Sequence, residues 1–128
     1  MKNKTNFLHL IVFSGILLMF SCVKDKSQPL ETICGVTNPL TQLDWLNSKV
    51  KSIGELNPDV SKYIMIQSAT YNSETVFIQT NCDPLGNSNY PVYNCSGVFI
   101  GNMAELGFNY FTNQSILWKA SNSACSAN

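Results

Sequence analysis

Arginine is absent from this chain, and histidine occurs once, at position 9. Only 12% of the residues are charged, with eight lysines set against eight carboxylates, so the formal net charge at pH 7 is zero. Lacking guanidinium groups, the chain has no bidentate clamp for phosphate or carboxylate. Lacking a basic excess, it has nothing to draw the phosphate backbone of a nucleic acid. No Cys-x-x-Cys pair is present either, which removes the usual spacing of a zinc site.

What is present begins with Lys2 and Lys4, then a mostly apolar run from Phe7 to Phe20 that ends at Ser21-Cys22. Charge, apolar run and small residue, in that order, make a secretory signal. A transmembrane helix needs about 20 consecutive apolar residues. This run is shorter and is interrupted by His9, Ser14 and Gly15. The segment Leu18-Met19-Phe20-Ser21-Cys22 resembles a bacterial lipobox, which implies cleavage before Cys22 and attachment of lipid to that cysteine. Each buried CH₂ of an acyl chain would add about 0.8 kcal/mol of membrane attachment.

The expected organisation is therefore a signal over residues 1–21, a lipidated cysteine with a polar tether over 22–33, and a small domain over 34–128. A tether from Val23 to Ile33 reaches about 36–40 Å when extended. Val23 stands where an aspartate, by analogy with other bacteria, would favour retention in the inner membrane, so the expected location is the outer membrane, facing the periplasm or the outside. Cleavage also removes His9, and with it any Ser-His-Asp or Cys-His catalytic arrangement.

With Cys22 assigned to lipid, four cysteines remain: Cys34, Cys82, Cys95 and Cys125. In an oxidising compartment these are expected to form two disulfides, whose pairing the sequence leaves open among three possibilities. For the rest of the domain, Leu43, Leu46, Val50 and Ile53 form one apolar stripe of a helix over about Thr41 to Ile53. Thr41 is the expected cap, Asp44 the acidic first-turn residue, Leu40 and Trp45 a hydrophobic staple, and Gly54 the stop. Strands are expected at Val60 to Tyr71, Thr75 to Thr80, Tyr90 to Cys95, Val98 to Gly101 and Ser115 to Ala120. Hairpin turns fall at Asn72-Ser73-Glu74 and at Ser96-Gly97. The sum is an α+β domain: one N-terminal helix packed on a largely antiparallel sheet of about five strands, braced by disulfides.

Cys34-Gly35-Val36-Thr37-Asn38-Pro39-Leu40 followed by Leu43-Asp44-Trp45-Leu46 resembles a group of small cysteine-containing lipoproteins of Bacteroidota. Tyr93-Asn94-Cys95-Ser96-Gly97 is similar to their Tyr-x-Cys-x-Gly hairpin, and Ile116-Leu117-Trp118-Lys119 to their closing strand. The resemblance covers most of the domain. It implies envelope location and fold, and no activity. Where such relatives carry a cysteine-richer segment before the hairpin, this chain has only Cys82.

Candidate chemistry is sparse. Ser48-Lys49 and Ser61-Lys62 are the pairs in which a lysine follows a serine, but neighbours on a helix lie about 100° apart. The carboxylates Glu31, Asp44, Glu55, Asp59, Glu74, Asp83 and Glu105 form no recognisable glycosidase pair. The segment from Asp83 to Asn89 offers oxygen ligands for calcium, yet its residues are ordinary turn formers. Two regions remain. The Cys82–Cys95 loop could act as a braced inhibitory loop. Phe108, Tyr110 and Phe111, with Asn109, could stack on a sugar or peptide, or could equally fold back to cover an open sheet face. The reading is a lipid-anchored, non-enzymatic binding or structural module without a cofactor, whose partners are the membrane and a sugar, peptide or exported protein. The alternative is an inhibitor of an exported hydrolase, and the third reading is a small enzyme.

Overall fold

The computed structural model describes residues 32–86 and 89–126. The expected signal, the lipid site at Cys22 and nearly all of the tether lie outside the described residues.

The centre of the molecule is a hairpin of β1 (Ile64–Tyr71) and β2 (Glu74–Asn81), paired along its whole length from Tyr71 opposite Glu74 to Ile64 opposite Asn81. Its two-residue turn places Asn72 at φ 49° and Ser73 at φ 65°. Both central residues of such a turn must be left-handed for its twist to match the strands. Three further strands, β3 (Pro91–Tyr93), β4 (Phe99–Asn102) and β5 (Thr112–Lys119), complete an antiparallel sheet in the order β4-β3-β2-β1-β5. The fold is α+β and disulfide-braced, as the sequence leads one to expect.

Several boundaries differ from the sequence reading, among them β3, which keeps only Pro91–Tyr93 of the expected Tyr90 to Cys95, and β4, which is shifted one residue on from Val98 to Gly101. The expected single helix is two: α1 (Pro39–Gln42) and α2 (Asp44–Gly54), separated by Leu43 in an extended conformation. Thr41 is consequently inside α1 and not a cap, while Gln42 Oε1 accepts from the Asn38 backbone N–H at 2.7 Å. Gly54 ends α2 without leaving the right-handed region, and the cap is Glu55. The first strand begins at Ile64 and not at Val60, because Asn57 caps a short α3 (Pro58–Ser61) by accepting from Asp59 N–H at 2.8 Å. Pro58, with its fixed φ, suits the first helical position. The last strand starts three residues before Ser115 and follows β1 through register shifts, with Asn113 at φ 51°.

Alternation along the strands divides the core in two. On one face Ile64, Ile66 and Phe77 pack against Leu46 and Ile53 of α2, with Leu117 and Trp118 alongside. On the other face Ala69, Val76, Ile78 and Val92 are covered by Met103 and Phe111. These two come from the return segment, a short α4 (Met103–Leu106) and a 3₁₀ turn (Phe108–Tyr110). Fully burying a side chain such as Phe77 or Leu46 contributes about 1.5–3 kcal/mol.

Disulfides join Cys34 to Cys95 and Cys82 to Cys125, with Cα–Cα separations of 5.6 and 5.7 Å. Of these four cysteines the first meets the third and the second meets the fourth, so the two covalent loops overlap along the chain. Cys34–Cys95 fixes the start of the domain to the β3–β4 hairpin. Cys82–Cys125 fixes the C-terminal segment beside the end of β2, where Ala124 N–H also donates to Lys62 O at 2.9 Å.

Candidate functional site

The return segment covers only part of its sheet face. Beyond it, where β1 begins and β2 ends, Met65, Gln67 and Thr80 share the face with Ile116, since Met65 stands opposite Thr80 and Gln67 opposite Ile78 and Ile116. Here two adjoining depressions form a trough. One, of about 220 Å³, is lined by Met65, Gln67, Thr80, Tyr90, Met103 and Phe108 among others, with Cys82 at its margin. The other, of about 450 Å³, is lined by Met65, Gln67, Gln114, Ser115, Ile116 and Ser126. Gln114 lines both.

Among the described residues no charged side chain lines either depression, and the exposed Lys119 stands opposite Met65 at the end of β5. The first is floored by methionine and aromatic groups, whereas the second is richer in amides and hydroxyls. Among the described residues the carboxamides of Gln67 and Gln114 make no hydrogen bond to another protein group, and Thr80 Oγ1 is buried without a partner. A buried hydroxyl left unbonded costs about 1–3 kcal/mol.

The three aromatics expected to form one patch are divided. Phe111 is 6% exposed and stacks on Tyr71 with ring centroids 4.8 Å apart, so it belongs to the core. Phe108 and Tyr110 are 48% and 68% exposed. The cause is local: the 3₁₀ turn between them places residues 108 and 110 outward and hands residue 111 to the extended chain entering β5. Phe108 rims the trough, and Tyr110 folds back over Gly107, which has φ 89° and where an added Cβ would come within 2.8 Å of the ring.

The Cys82–Cys95 loop is anchored at both margins by cysteines bonded to different partners. Its first part is a tight turn: Gly86 N–H donates to Asp83 O, and Asp83 Oδ1 accepts from Leu85 N–H, each at 2.9 Å. Leu85 stands 95% exposed at the tip. This is not the extended conformation that a protease cleft takes from its substrate. The Asp83 carboxylate is engaged in the turn, and among the described residues no cluster of three histidine, cysteine or acidic side chains gathers to hold a metal. Asn87 and Ser88 of the calcium candidate lie outside the described residues.

The serine–lysine pairs are not assembled for catalysis. Lys49 Nζ donates to Tyr93 Oη at 3.1 Å and lies 4.3 Å from the centre of that ring, while Ser48 is exposed on the helix. Lys62 Nζ bonds Asp59 Oδ1 at 2.9 Å, and that hydrogen bond holds its ammonium above the ordinary lysine range. A lysine base requires the opposite shift. Glu105 accepts from the Asn102 N–H at 3.2 Å and closes the capping box of α4. Trp45, expected as a staple, spans further: its ring meets Phe77 at 5.2 Å edge-on and its Nε1 donates to Cys95 O at 2.9 Å.

Sequence reasoning passed over Gln67, Thr80 and Gln114. One signal was available in Ile64-Met65-Ile66-Gln67-Ser68-Ala69, where a glutamine interrupts an apolar strand on the face otherwise given to Met65 and Ala69. The chain matches no family model, no curated protein and no solved structure.

Proposed function

We propose that this chain is a lipid-anchored, non-enzymatic binding module of the bacterial cell envelope, with its ligand seated in the trough beside Phe108. The single observation that carries the reading is the unfilled part of the sheet face, where the exposed Phe108 adjoins the carboxamides of Gln67 and Gln114. The order of charge, apolar run and Ser21-Cys22 supports export and lipidation, and two disulfides suit an oxidising compartment. The resemblance to Bacteroidota lipoproteins supports the same location. The test is a binding screen of the full chain, extracted from membranes of an exporting bacterium, against soluble envelope glycans, peptides and exported proteins, repeated with Phe108→Ala. A ligand whose binding survives Phe108→Ala undiminished would place the site elsewhere.

A second reading is favoured by Leu85, whose almost complete exposure on a covalently anchored turn suits contact with an exported protein. In that case Leu85→Asp abolishes capture of the protein while Phe108→Ala leaves it intact.

A further inference from the structure

We infer that the trough takes an uncharged saccharide, one ring lying against Phe108 and Met65 with its hydroxyl edge on Gln67 and Gln114. This rests on the trough being the binding site and names the class of its ligand.

The first argument is charge. The trough is walled by amides, hydroxyls, methionines and aromatic rings, with no lysine or carboxylate among its lining residues. An ionised ligand would lose hydration against this lining without gaining a counter-charge from it, Lys119 opposite Met65 being solvated, which disfavours uronic acids, phosphates and charged peptides. The second argument is the arrangement of polar and apolar surface. A pyranose has an apolar C–H face and a rim of hydroxyls that each donate and accept. Phe108, Met65 and Met103 supply the matching apolar surface, and a carboxamide is the neutral side chain that both donates and accepts. The third is shape. Depressions of about 220 and 450 Å³ share Met65, Gln67 and Gln114, so they form one elongated site suited to more than one ring.

A peptide fits less well. Extended peptides gain affinity from main-chain hydrogen bonds along a sheet edge, whereas the first depression, which holds the aromatic and methionine surface, is lined chiefly by β1, β2 and the return segment; only the second reaches the edge strand β5. An acyl chain would need a deep apolar cavity, and half of this trough is amide and hydroxyl.

The test is calorimetry on the full chain, extracted in mild detergent, with a panel of neutral gluco-, manno-, galacto- and xylo-oligosaccharides, matched oligosaccharides containing uronic acid, and a random peptide library. At least one neutral oligosaccharide is expected to bind, and the acidic counterparts to fail. Phe108→Ala and Gln67→Leu should each weaken that binding roughly tenfold or more. Gln114→Ala, on an exposed position of β5, guards against loss through misfolding, and the melting temperature of each variant is read alongside. Absence of binding by every neutral oligosaccharide at millimolar concentration overturns the inference. Binding of a peptide or acidic glycan that Phe108→Ala abolishes overturns the ligand class and keeps the trough as the site. Neutral-saccharide binding that survives all three substitutions overturns the trough itself.

Discussion

Trp45 lies so close over Gly97 that a methyl group added to the glycine would come within 2.6 Å of the indole. The glycine is also left-handed, at φ 79°. These facts have one origin. The β3–β4 hairpin must turn tightly to return, and Asn94 Oδ1 holds that turn by accepting from Ser96 and Val98 N–H at 3.0 Å each. The indole of α2 then closes over the turn and bonds Cys95 O. Helix, hairpin and the Cys34–Cys95 bridge meet at this point.

Gly97→Ala is therefore expected to destabilise the protein by about 2 kcal/mol or more, from overpacking and an unfavourable φ together. The shift of the urea midpoint measures it. Trp45→Phe keeps most of the apolar area but leaves Cys95 O without its indole donor, and should cost about 1–3 kcal/mol. A Gly97→Ala variant as stable as the parent would mean that the hairpin does not sit against the indole.

The overlapping disulfides make a second prediction. Mass mapping of unreduced protein should recover Cys34 linked to Cys95 and Cys82 linked to Cys125, with no free thiol among the four. Their sequence separations are 61 and 43 residues, and the chain-entropy model gives about 4 kcal/mol for a loop of either length. That is a large share of the roughly 5–15 kcal/mol that holds a domain of this kind. Replacing either pair by alanine should lower the melting temperature sharply. Recovery of Cys34 linked to Cys82 would contradict the arrangement of the sheet and its N-terminal segment.

How far the sequence could be read depended on whether a signal was local. The Asn72-Ser73 turn and the apolar stripe of Leu46, Val50 and Ile53 are decided within a few residues, and both were legible. The break at Leu43 was not, because Gln42 folding back to Asn38 leaves no trace in the apolar spacing. The pairing of four cysteines was equally closed, since it follows from how the C-terminal segment runs beside β2. The trough is the extreme case. Met65 and Gln114 are far apart along the chain and become neighbours only once β5 pairs with β1, so the one sign in the sequence was the misplaced polarity of Gln67.

Lipidation is the prediction that bears on location. Intact-mass analysis of the membrane-extracted protein should find a chain beginning at Cys22 and carrying acyl mass. Cys22→Ala should leave the protein either uncleaved or free of the membrane. A recovered chain that keeps Met1 to Ser21 with no lipid on Cys22 would remove the anchor from the proposed function.

The return segment gives the sharpest division between stability and binding, because neighbouring aromatics there have opposite surroundings. Phe111 is buried among Ala69, Val76 and Ile78 and stacked on Tyr71. Phe111→Ala should thus cost about 3–5 kcal/mol, as removal of a packed core phenylalanine does. Tyr110 is largely in solvent and touches chiefly its own turn. Tyr110→Ala should change stability by no more than about 0.5–1 kcal/mol. Phe108 stands between these cases, half-exposed with one edge on the trough. Its removal should cost little stability and most of the ligand affinity. Denaturant unfolding of the three single variants beside one binding measurement on each therefore tests the division. A steep loss of stability in Tyr110→Ala would return that residue to the core. A stable Phe111→Ala variant that had lost its ligand would instead make Phe111 part of the binding surface, and the stacking on Tyr71 would then need another role.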